Sequence, residues 1–292
     1  MYHRTDSMNR ELTNISYIKD LCQRYGFALQ KSYGQNFIVN SGICPKIAEH
    51  AEVDENCGVI EIGTGIGVLT KELALRAKKV VAIEIDTKLL PLLEETLSDF
   101  DNIKIINKDV LEVDLNALIK EEFGDMPVMV CANLPYYITS PIIMKLLEDR
   151  LPIENITVMV QKEAAQRICA KEGSRDAGAI SLAVNYYAVP TVCFNVSPGS
   201  FFPPPKVTSS VIRLDVNKDP KVKPKSEKNM FRLIRAAFTQ RRKTFVNSAS
   251  ATLGISKASI EAALEQIGEK PMVRPEQMTL EQFSALSDIL FG

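Results

Sequence analysis

The sequence predicts a parallel, doubly wound α/β sheet followed by a small all-helical domain. A continuous apolar run at 128–132 and short, largely apolar strand patterns at 58–62, 79–85, 103–107 and 156–160 alternate with helical patterns, as parallel strands do. The first run feeds directly into a glycine turn, Gly63-Thr64-Gly65-Ile66-Gly67. Beyond a Lys- and Pro-rich stretch at 217–226 every segment reads as helix, which sets expected domains of 1–216 and 217–292. A chain of 292 residues suits one large and one smaller domain.

The elements follow in order. A loose start carries a short helix, 15–25, then a polar turn from Lys31 to Phe37, then a helix from Pro45, a residue suited to a first turn. Strand 58–62, the glycine turn and helix 68–77 form the first strand–turn–helix unit. Strand 79–85, helix 87–97 and strand 103–107 repeat the alternation, and Asp109 stands just past the third strand. Strand 128–132 ends in Asn133-Leu134-Pro135-Tyr136, and helix 140–148 follows. Strand 156–160, helical patterns to 170 and over 179–188, and strand 189–196 come next. A stiff, aromatic-led loop at 201–207 precedes the last strand, 210–216, giving the sheet a hairpin-like end. Helices are expected over 229–253, 257–267 and 276–290.

Composition removes several classes of function. Apolar content is 46% and charged content 24%, ordinary for a globular chain, and no apolar run approaches the roughly 18 residues of a membrane span. The N-terminus lacks a signal-peptide core, so a cytoplasmic protein without a membrane partner is expected. Six cysteines stand far apart without a Cys-x-x-Cys pair, and only two histidines accompany them. Neither a metal site nor a disulfide framework is expected, and histidine-based acid–base chemistry is disfavoured. Net charge is −1, yet the stretch from Lys218 to Lys243 holds ten basic side chains against two acidic ones. That asymmetry points to a polyanion partner, with a solvated linker and helix face as the plainer alternative.

Two strand ends carry the chemistry. A glycine turn between strand and helix lets a ligand approach the backbone closely. Glu84, about twenty residues past the first glycine, is placed to accept both hydroxyls of a ribose. Val68 stands where a dinucleotide fingerprint needs its third glycine, so the pattern speaks for another nucleoside-bearing cofactor. Pro135 stiffens the turn after the fourth strand and pushes Leu134 into an extended conformation. The side-chain amide of Asn133 adds an acceptor and two donors, with Tyr136 and Tyr137 alongside. A planar ligand offering an amine edge, adenine or cytosine, suits such a site, although Asn-x-Pro is also ordinary turn chemistry.

An ordered set of motifs resembles the ribosomal RNA adenine dimethyltransferases that use S-adenosylmethionine. They are Gly34-Gln35-Asn36-Phe37; Glu61-Ile62-Gly63-Thr64-Gly65-Ile66-Gly67; Glu84-Ile85-Asp86; Asp109; Asn133-Leu134-Pro135-Tyr136; Gln161-Lys162-Glu163; Phe201-x-Pro-x-Pro-x-Val-x-Ser209; and Ala237-Phe238-x-x-Arg241-Arg242-Lys243-Thr244. The resemblance implies a Rossmann-like class I methyltransferase domain with a helical C-terminal RNA-binding domain. It implies that Asn36 and Ile38 line the cofactor's entrance, that Gly63 and Gly65 form its turn with Gly63 beside the methionine part, and that Glu84 meets the ribose. Asp109 would meet the adenine amine, and Asn133 would stand between methyl donor and target base. Leu134 or Pro135 would offer a carbonyl to the target amine, while Phe201 and Tyr136 sandwich the base. Thr64 departs from the family, which usually has proline there.

The resemblance further implies two methyls on each of two adjacent adenosines near the 3′ end of 16S rRNA in the 30S subunit, by a protein expected to act as a monomer. Arg232, Arg235, Arg241, Arg242 and Lys243, expected on the first helix of the small domain, would track RNA phosphates. Two alternatives stay open: a 23S rRNA adenine methyltransferase of the macrolide-resistance type, and a non-catalytic ribosome assembly or transcription factor on the same scaffold. A DNA adenine methyltransferase is disfavoured by Leu134, where those enzymes usually carry a second proline.

Overall fold

The computed structural model describes residues 12–27, 36–220, 222–240 and 242–292. They form two compact units: residues up to 165 together with 191–216, and residues 166–190 together with 217–292.

In the first unit, helix α1 (Ile15–Arg24) starts at Asn14, whose side chain accepts from the Ser16 and Tyr17 amides and so satisfies two of the helix's unpaired donors. Strand β1 (Phe37–Ile38) and helix α2 (Ile43–His50) follow. The remaining strands are β2 (Gly58–Ile62), β3 (Lys79–Glu84), β4 (Ile103–Asn107), β5 (Val128–Asn133), β6 (Asn155–Gln161), β7 (Ala188–Val196), β8 (Phe201–Phe202) and β9 (Ser209–Val216). A seven-stranded sheet takes the order β4-β3-β2-β5-β6-β9-β7, and β1 pairs with β8 in a separate two-stranded ribbon. Strands β2 to β6 are parallel neighbours, whereas β9 runs antiparallel to β6. The sheet is thus mixed at one end.

Register decides where the site lies. Gly58 to Ile62 pair in step with Lys79 to Ile83 on one side and with Val128 to Ala132 on the other. The turns after β2, β3 and β5 therefore leave the sheet at one level. Strand order reverses at β2, with β3 to one side and β5 to the other, and a crevice opens at such a switch point.

Five helices cross between these strands: α3 (Val68–Ala74), α4 (Leu90–Thr96), α5 (Leu115–Phe123), α6 (Thr139–Glu148) and α7 (Lys162–Ile168). Helix α5 was not expected. Its signals are the Asp114 cap on the Ala117 amide and a buried stripe of Leu115, Leu118, Ile119 and Phe123. Gly67, at φ +89°, caps α3 in the left-handed region, and a Cβ there would stand 3.0 Å from Leu97. Only glycine meets both demands without strain.

The second unit contains α8 (Ala179–Tyr187), α9 (Glu227–Phe238), α10 (Phe245–Leu253), α11 (Lys257–Gln266) and α12 (Leu280–Phe291). Residues 166–190, expected in the first domain, group here because aromatic packing ties α8 to α9. Tyr187 stacks on Phe231 at 5.4 Å, Tyr186 meets the same ring edge-on at 5.3 Å, and the Tyr186 hydroxyl donates to Glu227 at 2.8 Å. Each aromatic pair adds about 1 kcal/mol beyond the area it buries. The single helix expected over 229–253 is two. Thr244 caps the Asn247 amide to start α10, and the Gln240 amide turns back onto the Ser248 hydroxyl.

Candidate active site

The crevice at the switch point is lined by the turn after β2, the ends of β3 and β4, the turn after β5, and Asn36 to Ile38. Every expected cofactor residue faces it: Asn36, Ile38, Gly63, Gly65, Glu84, Asp109 and Asn133. Leu134, Pro135 and Tyr136 line it as well.

On the glycine-turn side, Gly63 holds φ +76° and a Cβ there would meet nothing within 4 Å. The backbone borders open space that any side chain would fill, a cradle for a ligand. Glu84 is 5% exposed and already held. Its Oε2 accepts from both the Thr64 amide and the Thr64 hydroxyl at 2.9 Å, and its Oε1 accepts from the Asp86 amide at 2.9 Å. Asp109 accepts the Leu111 amide at 2.9 Å through Oδ1. Ile85, 47% exposed, adds an apolar wall beside these acids, and Lys108 is a cation in the same lining. Neither Ile85 nor Lys108 was singled out as a site residue from the sequence, because each was legible only as the neighbour of a motif acid.

Glu61 was missed for a different reason. It lies inside β2, in a run that reads as pure core, yet its side chain lines the crevice. It is fully buried, and among the described residues neither carboxylate oxygen finds a hydrogen-bond partner. Burial pushes its pKa up to about 8; the nearby Thr70 hydroxyl lowers it somewhat without closing a hydrogen bond, and the charge of Glu84 raises it further. A carboxyl so placed either stays protonated or is held charged by a cationic group brought to the cleft.

On the other side, the Asn133 amide nitrogen donates to the Asn36 carbonyl at 3.4 Å, which leaves Oδ1 as the outstanding acceptor. The Leu134 amide donates to the Met159 carbonyl at 3.1 Å, tying the turn to β6. The Pro135 carbonyl is occupied by the Ile138 amide and the Thr139 hydroxyl, each at 3.2 Å. Of the two carbonyls expected to serve an amine, only that of Leu134 stays open among the described residues. The Tyr136 hydroxyl is joined to Ser209 at 2.8 Å, and Tyr137 is the exposed ring of the lining, at 62%.

Two expectations need correction. Phe201 is not part of the lining: it is 3% exposed and packs in the core. The loop that was to leave it open forms β8 instead, pairing Phe201 with Ile38 and Phe202 with Phe37, so the ring turns inward. Arg242 and Lys243 are not on α9, which ends at Phe238; they stand exposed in the turn before α10. Arg232 and Arg235 are on α9 and exposed, with Arg232 5.4 Å over the Phe291 ring. Arg241, Gly34 and Gln35 lie outside the described residues. Among the described residues no trio of His, Cys, Asp or Glu is arranged to hold a metal ion.

An open, mostly parallel sheet in which β9 runs antiparallel to β6, a glycine turn after β2 and an acid ending β3 define a class I S-adenosylmethionine-dependent methyltransferase. Solved structures agree: a dimethyladenosine transferase from Plasmodium falciparum is 25% identical, covers 85% of this chain and 95% of its own, and superposes with a TM-score of 0.68. The 23S rRNA methyltransferase ErmE is 28% identical, covers 88% of this chain and 100% of its own, with a TM-score of 0.66. The family model for ribosomal RNA adenine dimethylase matches residues 26–289, and this chain belongs to that family. Ribosomal RNA small subunit methyltransferase A of Lachnoclostridium phytofermentans is 50% identical over 274 residues, 93% of this chain and 94% of the relative. The protein of that name from a Geobacillus species is 48% identical over 287 residues, 97% and 99% of the two chains.

Proposed function

We propose that this protein dimethylates the exocyclic amines of two adjacent adenosines near the 3′ end of 16S rRNA in the 30S subunit, as a cytoplasmic monomer. S-adenosylmethionine supplies the activated methyl group. The observation that carries the reading is the pair of open acceptors, Asn133 Oδ1 and the Leu134 carbonyl, on the turn facing the glycine loop.

An adenine amine is a poor nucleophile, because its lone pair is delocalised into the ring. Two acceptors aimed at its two hydrogens favour a pyramidal nitrogen with its lone pair free for the methyl. The protein's contribution is orientation and electrostatics, and no strong base is required. Glu84 would hold the ribose, Asp109 Oδ2 the adenine amine, and Glu61 a cationic part of the cofactor, with Ile85 against the adenine face.

The target base must leave its stack to reach this turn. With Phe201 buried, stacking falls to Tyr136 and the exposed Tyr137, worth about 1–3 kcal/mol per base. Arg232, Arg235, Arg242 and Lys243 offer charges to RNA phosphates.

The naming of the relatives at 50% and 48% identity favours the small subunit over the large-subunit substrate named for ErmE. Incubation with labelled S-adenosylmethionine and separated, unmethylated small and large subunits, followed by mapping of modified nucleotides, tests this. Label confined to two adjacent adenosines of the small subunit is expected. Label in the large subunit alone would transfer the chain to the competing reading, and no label would favour the assembly-factor reading.

A further inference from the structure

We infer that Thr64 sets how Glu84 meets the ribose: it fills one carboxylate oxygen from within the protein, so Glu84 accepts one ribose hydroxyl rather than both. The inference rests on the crevice being a site for a nucleoside-bearing cofactor and adds a positioning residue to that site.

The argument is a count of acceptor directions. An ionised carboxylate offers about four, two on each oxygen. Glu84 Oε2 takes the Thr64 amide and the Thr64 hydroxyl, both at 2.9 Å, so its two directions are used. Oε1 takes the Asp86 amide at 2.9 Å, so one direction remains there. Glu84 and Thr64 are each 5% exposed, so water does not compete for these contacts. A vicinal diol that donates to both oxygens of a carboxylate needs a free direction on each. Only Oε1 has one.

The Thr64 hydroxyl has a single proton. At 2.9 Å from Glu84 Oε2 and 3.4 Å from the Gly65 carbonyl, it is committed to the carboxylate. Thr64 lines the crevice and its hydroxyl oxygen keeps acceptor capacity, so the second ribose hydroxyl would donate to that neutral oxygen instead. A hydrogen bond to a charged acceptor is worth roughly twice one to a neutral acceptor, so the two hydroxyls contribute unequally. Proline at this position, with neither amide hydrogen nor hydroxyl, would leave Oε2 open to the second hydroxyl. The threonine turn therefore exchanges two-point ribose recognition for a carboxylate locked in place before the cofactor arrives.

The test uses the full-length protein and S-adenosylhomocysteine with its 2′-deoxy and 3′-deoxy forms, each titrated calorimetrically. In the native protein, one deoxy form should bind about tenfold or more weaker than the parent and the other within about threefold. Thr64→Ser should keep that imbalance. Thr64→Val, which retains the amide but not the hydroxyl, should shrink it by freeing one direction on Oε2. Equal losses for both deoxy forms in the native protein, or an imbalance unchanged in Thr64→Val, would overturn the inference. The native-protein titrations decide even if a variant fails to fold. Glu84→Ala separates the two levels: weakening by tenfold or more keeps the crevice as the cofactor site whatever the deoxy forms do. Unchanged binding there would overturn the cofactor reading and this inference with it.

Discussion

The turn after β2 and the turn after β5 face the same crevice but are finished differently. Around the glycine turn, the chain satisfies its own acid: Glu84 is fastened by Thr64 and Asp86. At the Asn133 turn the backbone is equally well anchored, through Leu134 to Met159 and through Pro135 to Ile138 and Thr139. There, however, the acceptors facing the crevice stay open. The first side holds its acid within the chain; on the proposed reading the second receives two hydrogens from outside. Glu61 is the exception on the first side, a buried acid whose oxygens find no hydrogen-bond partner among the described residues.

The contrast is broken most directly at Asn133. On the proposed mechanism Asn133→Ala removes an acceptor used in the transition state, so methyl transfer should fall by about 10²–10³-fold in kcat. Affinity for S-adenosylhomocysteine should stay within about threefold. Transfer retained within tenfold in single-turnover assays would remove Asn133 from the chemistry.

Glu84→Ala should show the converse pattern. Cofactor affinity should weaken by about 10–100-fold by calorimetry, while saturating cofactor restores most of kcat. A kcat loss that saturation does not recover would erase the distinction between the two turns.

Tyr137→Ala should cost about tenfold in kcat/KM for the RNA substrate, the value of one base stack. Tyr137→Phe should retain activity, since only the ring face is required. A tyrosine-specific requirement would point to its hydroxyl instead.

The smallest effect concerns Glu61 and its stability. A carboxyl at about 8 in the folded protein and in the ordinary range when unfolded takes up a proton on folding between those values. Stability of the ligand-free protein therefore falls as pH rises through that window and levels off above it. Glu61→Gln removes the titration. It should raise Tm by on the order of 5 °C more at about pH 8.5 than at about pH 5. A gain independent of pH would show that Glu61 has a partner in the folded state.

Much of this was legible in the chain itself. The runs at 58–62 and 103–107 became strands with those bounds: the first is buried throughout, the second is a half-exposed edge strand, and local pattern was enough to mark both. Glu84, Asp109 and Asn133 could be placed on one crevice because each stands at or just past a strand end, and in an open parallel sheet strand ends share an edge. The misses have one cause. Phe201 was expected in an open loop, yet pairing with Ile38, more than 160 residues away in sequence, turned it inward. Helix 229–253 was expected whole, but the Thr244 cap and the Ser248 hydroxyl end α9 at Phe238 and start a new helix.

The sequence by itself determined the alternation of strands and helices, the motif order and hence the family. Those depend on hydrophobic period and on residue types at strand ends, which are local. Only the tertiary structure decided which acceptors are spent and which remain: that Pro135 is occupied and Leu134 open, that Thr64 fills one side of Glu84, and that Glu61 is left alone. Hydrogen-bond satisfaction is settled between segments distant in sequence, and no local pattern records it.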